Sequence, residues 1–396
     1  MNPSKSHVDC LFIVQGEGRG HLTQALAARQ MLVRAGHRVT RVLVGGPRAL
    51  PAFFREQIDA PITRIASPGF APDARRRGVR MGASVWDALR QVPDLRRSLD
   101  AIEAQLERHR PDVVVNFFEP MAGGYWGLRR PAVPMVAVAH QYLFDHHAYR
   151  FPAGHWGRRW ATRAFTRLTA WGAAKRLALS LYPAPDRPDE SLHVLPPLLR
   201  SALFDLPTRT EPFLLVYVLN SGYAEDVIRW HRRHPEVPLH CFWDRPDADP
   251  VERIDDTLTF HRLDGAKFLR LMARARGVVT TAGFESVAEA MVLGKPVQAI
   301  PVDGHFEQWC NAHDAVRARA GIWSDTFDLS RLIKALPAYE PPGADFRSWV
   351  QGGAERFVRW VEAAAGSAGA AMQRPRHAGA AVPDQLEATA GSISSG

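Results

Sequence analysis

Short apolar runs alternate along the chain with longer stretches in which apolar residues recur every three or four positions. The short runs predict buried parallel strands, and the periodic stretches predict helices that pack on them. In the first half of the chain the predicted strands cover residues 8–14, 38–44, 62–66, 112–118, 133–139 and 178–182. This alternation predicts an α/β domain, a parallel sheet with helices on both faces.

A second series of the same kind follows a proline-rich segment. Residues 194–200 contain adjacent prolines, which predicts an extended linker. Beyond it, predicted strands cover 213–219, 239–243, 258–261, 277–280 and 297–301, and predicted helices cover 223–233, 265–275, 284–293 and 306–319. We therefore expect two domains, a C-terminal helix and a disordered tail rich in small residues. In that order, these units cover residues 1–200, 201–345, 346–365 and 366–396.

A glycine-rich turn joins the first predicted strand to the first predicted helix. Its sequence is Gln15-Gly16-Glu17-Gly18-Arg19-Gly20-His21, and turns of this kind bring backbone close to a ligand. A dinucleotide fingerprint needs glycine where His21 stands and an acidic residue after the next strand, but that strand ends in glycines and Pro47. A neutral imidazole is a suitable base near pH 7. His21 is therefore our candidate catalytic residue; the alternative is that it only caps its helix.

The stretch 280–312 carries a second set of polar turns. A turn of small residues precedes a helix whose free N–H groups favour a diphosphate. Within that helix Glu289 suits the two hydroxyls of a ribose, and polar residues at the next helix start suit sugar hydroxyls. The candidate donor-binding residues are Thr281, Gly283, Ser286, Glu289, His305, Glu307 and Gln308, with Asn220 and Ser221 at an earlier strand-to-helix turn. The alternative for each is an ordinary helix start or surface position.

This second stretch resembles the donor half of GT-B glycosyltransferases. The shared pattern is a helix from Gly283 to Glu289, a Gly-x-Pro turn, a strand that ends in Pro301, and Gln308-x-x-Asn-Ala. It is most similar to the bacterial enzyme that adds N-acetylglucosamine to the lipid-linked peptidoglycan precursor, and to related archaeal and bacterial glycosyltransferase-like proteins. The resemblance implies two Rossmann-like domains facing a cleft, the first for the acceptor and the second for a nucleotide-sugar. It also implies a last helix that crosses back to the first domain.

The same resemblance implies roles for individual residues. Glu289 would bind the ribose of a uridine nucleotide, and Gln308 with Glu307 would bind the donor sugar. The acceptor side would consist of the loop residues Gly18, Arg19 and Gly20, of His21 as the base, and of Glu119 as the residue that orients it.

We expect the reaction to be transfer of a hexose-type sugar from a UDP-linked donor to a hydroxyl group, with inversion. A sugar hydroxyl becomes a nucleophile as a base removes its proton, and N–H groups stabilise the leaving diphosphate. The sequence has no convincing Asp-x-Asp pair after a strand and no paired metal-ligand spacing, so we expect no metal and no other cofactor. Two alternatives stay open: a nucleotide-sugar 2-epimerase or hydrolase of the same fold, and a non-catalytic protein that binds a nucleotide-sugar or a membrane.

Composition indicates the setting in which the chain works. With 396 residues, 46% of them hydrophobic, it can bury two cores. Three scattered cysteines give no disulfide framework and indicate a reducing compartment. The apolar run before Gly16 is too short for a secretory signal or a spanning helix, and no later run reaches the length needed. We therefore expect a cytoplasmic protein.

A net charge of +9, carried mainly by arginine, indicates an anionic partner. One arginine cluster lies within residues 75–80. The predicted helix 156–176 carries a second, made of Arg159, Arg163 and Arg167 beside Trp156, Trp160 and Trp171. This composition is typical of a lipid headgroup boundary and indicates an anionic membrane surface at the inner face of the cell membrane. The acceptor would then be lipid-linked, although a small molecule also suits such a surface.

The alternative for this helix is that its rings pack on the domain while the arginine stems lie along them and reach water. Nucleic acid is not expected as a partner, because no recognised binding module accompanies the charge.

Overall fold

The structure is a computed structural model, which describes residues 7–46, 49–68, 71–72, 79–80, 85–218, 221–245 and 248–372. The main strands form two sheets of seven strands each, and helices pack against both. This confirms the predicted two-domain α/β architecture.

The first sheet is parallel throughout. The strands of the first domain are β1 (Asp9–Gln15), β2 (Arg38–Gly45), β3 (Ile62–Ile65), β4 (Ala71–Pro72), β5 (Val79–Arg80), β6 (Val113–Phe117), β7 (Met135–Ala139), β8 (Lys175–Leu179) and β9 (Leu192–Leu195). The main sheet has the order β3-β2-β1-β6-β7-β8-β9, while β4 and β5 pair separately. Buried valine, isoleucine and leucine side chains fill both of its faces, as expected for a sheet covered on both sides.

The second sheet repeats this plan with one antiparallel edge strand. Its strands are β10 (Leu214–Val218), β11 (Leu239–Trp243), β12 (Val251–Arg253), β13 (Leu258–Arg262), β14 (Gly277–Thr280), β15 (Val297–Ala299) and β16 (Gly321–Trp323). The order is β12-β13-β11-β10-β14-β15-β16, and β12 is the strand that runs antiparallel. The strand order reverses beside β1 in the first sheet and beside β10 in the second.

Helices connect most of these strands. In the first domain they are α1 (Gly20–Arg34), α2 (Ala52–Gln57), α3 (Val85–His109), α4 (Pro120–Arg129) and α5 (Trp156–Thr169). The rest are α6 (Ala224–His231), α7 (Gly265–Arg274), α8 (Phe284–Val292), α9 (Phe306–Arg317), α10 (Ser330–Ala335), α11 (Ala344–Gln351) and α12 (Gly353–Met372). Short 3₁₀ helices cover His140–Asp145, Pro188–Glu190, Ser201–Leu203, Ser221–Tyr223 and Leu336–Ala338.

Three sequence predictions need correction. The segment predicted as a linker from residue 194 begins inside β9, which pairs with β8 at the edge of the first sheet. The helix predicted over 156–176 ends at Thr169, and the last helix is two helices that meet at Gly352. The tail predicted as disordered from residue 366 begins inside α12, and its remainder from residue 373 lies outside the described residues.

The final helix α12 packs on the first domain although it follows the second. Its Phe357 and Val361 are fully buried in the same core as α1. Glu362 lies 3.0 Å from Nε2 of His37, and the ring of Trp360 stacks on His193 beside β9. The chain therefore crosses between the two domains twice, once after β9 and once before α12.

The loops after β1, β6, β10 and β14 lie at the carboxyl ends of parallel strands, where the strand order reverses. In open α/β sheets this is where ligands bind. Residues from three of these loops, together with Tyr217 at the end of β10, line one cavity between the two domains.

Candidate functional site

The cavity between the domains has a volume of about 540 Å³. The first domain contributes the glycine-rich loop from Glu17 to His21, and the second contributes the segments 281–289 and 304–311. Helix α5 contributes Ala161, Thr162 and Phe165. The structure thus brings the two sequence motifs together around one space large enough for a small-molecule ligand.

Glycine in the first loop is required by geometry. A Cβ on Gly16 would collide with the carbonyl oxygen of Gly45, and Gly18 has φ +85°, which favours glycine. Helix α1 then begins with no side chain capping its first turn. Its N–H groups and positive end are therefore available to an anion in the cavity.

His21 lies in the first turn of α1 and lines the cavity. Its ring stacks on Phe118 with 5.2 Å between ring centroids, and its Nδ1 lies 3.4 Å from Oε1 of Gln24. Burial lowers the pKa of His21, and Glu307 and Gln24 oppose that effect without reversing it. The imidazole is therefore neutral near pH 7, as a general base must be.

Arg19 reaches toward the second domain. Its guanidinium lies over the ring of Phe53 and 3.4 Å from Oδ1 of Asp244. The flanking residues Gly18 and Gly20 also line the cavity, and a Cβ on Gly20 would approach Glu285 of the opposite domain. The loop predicted to lie under the acceptor is thus at the domain boundary.

Glu119 makes its side-chain hydrogen bonds to groups other than His21. Its fully buried carboxylate caps α4, where Oε1 accepts hydrogen bonds from Ser67 Oγ at 2.6 Å and from the Met121 N–H at 3.1 Å. Burial raises the pKa of Glu119 to about 7. Within the described residues no hydrogen bond joins it to His21; Gln24 occupies that position instead.

A hydrogen bond from Asn311 stabilises the turn before α8. Ala282 has φ +52°, and its carbonyl accepts a hydrogen bond from Asn311 Nδ2 at 3.1 Å. Helix α8 then begins at Phe284, and the preceding Gly283 provides no side-chain cap. The hydroxyl of Ser286 bonds to the Gly283 carbonyl at 3.0 Å, and Thr281 lines the cavity. A second uncapped helix N-terminus therefore faces the same space as that of α1.

Arg200 is a cavity residue that the sequence patterns did not indicate. It follows β9 in the segment between the domains, and its Nη2 lies 2.7 Å from Oε1 of Glu289. Glu289 is only 4% exposed, and this contact gives its buried carboxyl group a cationic partner. The Nε of Arg200 is buried and has no partner among the described residues.

The remaining predicted residues, His305, Glu307 and Gln308, lie at the start of α9. His305 caps the helix, its Nδ1 accepting from the Gln308 N–H at 3.3 Å, while Oε1 of Gln308 accepts from the Val302 N–H at 2.8 Å. Glu307 points across the cleft and lies 3.4 Å from Nε2 of His140. Although burial acts to raise it, the pKa of Glu307 is lowered by the surrounding histidines and by Gln141. Glu307 is thus ionised, and all three residues line the cavity.

A second carboxyl group, Glu285, links the domains. Its Oε1 accepts a hydrogen bond from Gln24 Nε2 at 2.8 Å, and the side chain lines the cavity. Burial is the main cause that raises the pKa of Glu285 to about 8, with Gln24 opposing it. A carboxyl group that is neutral near pH 7 therefore lies one helical turn from Glu289, whose carboxyl group contacts Arg200.

Several predicted positions contribute less. Asn220 lies outside the described residues, as do residues 75–78 of the arginine cluster. Ser221 begins a 3₁₀ helix. In the described part of the chain, no group of three His, Cys, Asp or Glu side chains has an arrangement that could hold a metal ion. None of the helices searched there is both long and apolar enough to cross a membrane.

The outer face of α5 exposes its tryptophans. Trp156 and Trp160 are 84% and 71% exposed, and Trp171 follows the end of the helix. Arg163 and Arg167 both pair with the buried carboxylate of Asp145. The rings of Trp156 and Trp160 therefore do not pack on the domain, whereas the ring of Trp171 packs against Gly127 of α4. Two of the arginines form an internal ion pair with Asp145.

Several solved structures are similar to this protein along most of its length. The Phytolacca americana protein UGT2, solved with UDP-2fluoro-glucose and pterostilbene, has a TM-score of 0.55 and 11% identity over 90% of this chain and 95% of its own. The spinosyn rhamnosyltransferase SpnG, solved with thymidine diphosphate, has a TM-score of 0.53 and 15% identity over 92% of this chain and 100% of its own. The glycotransferase of kitacinnamycin has a TM-score of 0.54 and 16% identity over 93% of this chain and 99% of its own.

These likenesses confirm the predicted GT-B fold. No curated protein matches the chain, and the narrower resemblance to the peptidoglycan enzyme stays a prediction. A sequence profile described as glycosyl transferase family 1 matches residues 8–337, which is most of the chain. The protein therefore belongs to glycosyl transferase family 1.

Proposed function

We propose that the protein transfers a hexose-type sugar from a nucleoside-diphosphate sugar to a hydroxyl group of an acceptor, with inversion and without a metal. The observation that carries this proposal is one cavity that receives two uncapped helix N-termini, α1 and α8, from opposite domains. Two positive helix ends and the guanidinium of Arg200 favour a diphosphate. The nearby carboxylates suit the hydroxyls of the sugars on either side of it.

The donor would lie along the second domain. Its diphosphate would be held by N–H groups of α8 near Gly283 and by Arg200, whose position in the cavity supports this role. Glu289 would exchange part of its contact with Arg200 for the ribose hydroxyls. Glu307 and the amide nitrogen of Gln308 would bind hydroxyls of the transferred sugar. Thr281, Ser286, His305, Asn220 and Ser221 stay predicted donor contacts, and uridine stays the expected nucleoside.

The chemistry follows from the two sides of the cavity. Neutral His21 would take the proton of the acceptor hydroxyl as its oxygen attacks the anomeric carbon. The bond from that carbon to the diphosphate breaks, and the charge that develops on the leaving oxygen is stabilised by the N–H groups of α8 and by Arg200. A single displacement of this kind inverts the configuration. Positioning both substrates in one cleft supplies much of the acceleration.

The acceptor would enter beside α5. The inner face of this helix lines the cavity, while its outer face exposes Trp156 and Trp160 next to arginines. Exposed tryptophan beside arginine is typical of helices at a lipid surface. We therefore propose a lipid-linked or amphipathic acceptor presented at an anionic membrane surface.

Sedimentation with vesicles tests the membrane part of this proposal. The protein is expected to bind vesicles that contain anionic lipid more strongly than zwitterionic vesicles, and Trp156→Ser with Trp160→Ser is expected to lose that binding. Substitution of Trp323, a partly exposed tryptophan of the second domain, is the matched control. Equal binding by the two kinds of variant would contradict the proposed surface.

A thermal-shift screen of UDP-, TDP- and GDP-sugars tests the donor site. A ligand at 100 times its dissociation constant stabilises the folded protein by about 2.7 kcal/mol, which raises the melting temperature measurably. Calorimetry on Glu289→Gln and His21→Ala then separates binding from chemistry. The first variant is expected to bind the donor more weakly, and the second is expected to bind it normally but to lose turnover.

The same assays distinguish the alternatives. Epimerised or hydrolysed nucleotide-sugar formed without any acceptor would favour a 2-epimerase or hydrolase. Donor binding without turnover across a panel of lipid-linked and small-molecule acceptors would favour a non-catalytic protein. Wild-type donor affinity in Glu289→Gln would contradict the donor site itself.

A further inference from the structure

Gln24 lies between His21 and the second domain. It is one turn after His21 on α1 and is 2% exposed. Its Nε2 donates to Oε1 of Glu285 at 2.8 Å, and its Oε1 lies 3.4 Å from Nδ1 of His21. Among the described residues no other hydrogen bond reaches the imidazole. The three side chains thus form one line of polar contacts from the glycine-rich loop to the start of α8.

The direction of this line follows from the chemistry of its end. When the proton of Glu285 is on its second oxygen, Oε1 accepts the Gln24 N–H, and the amide has its nitrogen toward Glu285 and its oxygen toward His21. An amide oxygen only accepts, so the imidazole nitrogen that faces it must carry a proton. The second carboxyl oxygen of Glu285 has no partner among the described residues, so a proton there leaves the line intact.

We propose that Gln24 and Glu285 are positioning residues that hold His21 in the tautomer with its proton on Nδ1 and a free lone pair on Nε2. Because Glu285 belongs to the second domain, it can fix the tautomer of His21 only when the two domains lie against each other as they do here. This inference deepens the proposed function, since it rests on His21 acting as the base. The free Nε2 is then the atom that receives the acceptor proton.

Other charged groups near His21 act differently. Glu307 of α9 and His140 of the first domain influence the imidazole through charge, and Glu307 raises its pKa. Neither is recorded in a hydrogen bond to it. These groups affect whether the ring is protonated, whereas Gln24 decides which nitrogen carries the proton of the neutral ring.

Nitrogen-15 NMR of histidine-labelled protein tests the tautomer without any need for turnover. The ring signals of His21 are assigned by their absence in His21→Ala. We expect Nδ1–H in the wild type and in Glu285→Gln, which keeps a carbonyl acceptor for Gln24. We expect a shift toward Nε2–H in Gln24→Met and in Glu285→Met, which remove the contact at similar side-chain length. Thermal melts confirm that each variant is folded.

Kinetics with the donor and acceptor provide the second measurement. Gln24→Met and Glu285→Met are expected to lose about 10- to 100-fold in kcat, with the donor KM nearly unchanged. This is less than the roughly 100- to 10,000-fold that a general base contributes, because the base itself is still present. Glu285→Gln is expected to lose less. An unchanged tautomer in both methionine variants would overturn the inference. A changed tautomer together with full turnover in His21→Ala would instead refute the proposed base and leave the positioning role standing.

Discussion

Replacing Arg200 by methionine separates two roles of its guanidinium. One role is internal, because Nη2 lies 2.7 Å from Oε1 of Glu289. The other is toward the ligand, because both side chains line the cavity and Nε has no partner among the described residues. If the guanidinium also binds a diphosphate, stability and donor affinity depend on it for different reasons.

The two effects have different sizes. A hydrogen bond to a charged group contributes about 1.5–3 kcal/mol, so losing the diphosphate contact is expected to weaken donor binding roughly 10- to 100-fold. Removing one partner of a fully buried ion pair costs about 3–5 kcal/mol. Because this cavity admits water, which can solvate the carboxyl group of Glu289, the expected loss in the free energy of unfolding is smaller, about 1–3 kcal/mol.

Four proteins distinguish the two roles: the wild type, Arg200→Met, Glu289→Gln and the double variant. Urea unfolding measures stability, and calorimetry measures affinity for the donor found by thermal shift. The double variant removes both charges, so it is expected to regain much of the stability lost in Arg200→Met. Its donor affinity is expected to stay low. Donor affinity equal to that of the wild type in the double variant would show that the pair is only structural, and would refute the reasoning.

Three further predictions concern the rest of the molecule. Because the folded pKa of Glu119 is raised from 4.5 to about 7, the stability it contributes is present below pH 4.5 and lost as the pH rises to 7. The free energy of unfolding, measured with urea, is expected to fall by up to about 3 kcal/mol across this pH range. Glu119→Gln is expected to abolish this pH dependence. Gly123→Ala is expected to destabilise the fold by about 1–3 kcal/mol in the same assay, because a Cβ there would collide with the carbonyl of Leu168 in α5. The three cysteines are buried, so a thiol reagent is expected to react with them only after unfolding.

The position of both motifs could be predicted from the sequence because it depends on local rules. Apolar runs locate the parallel strands, and parallel strands place the loops that follow them at one edge of each sheet. Gly16 marks a turn where two backbone segments come close together, and Gly283 marks the start of a helix. These rules were sufficient to place His21 and Glu289 near the turns that surround the cavity.

Other site residues depend on how the domains pack, which no local pattern specifies. Arg200 stands in a proline-rich segment without periodicity, and its role becomes visible only because the second domain brings Glu289 against it. Gln24 occupies an ordinary helical position until Glu285 arrives from the opposite domain. Glu119 follows a strand like a site residue, yet its side chain caps α4 by accepting from the Met121 N–H, and Ser67, distant in sequence, holds it there.

The chain enters and leaves the second domain from neighbouring parts of the first domain. The strand β9 before it and the helix α12 after it both belong to the first domain, where Arg356 Nη2 donates to the Val194 carbonyl at 3.1 Å. The second domain is therefore an insertion whose two ends start and finish side by side. A segment bounded in this way could be exchanged between relatives at two points that are neighbours in the fold, which would replace one wall of the cavity and leave the other intact.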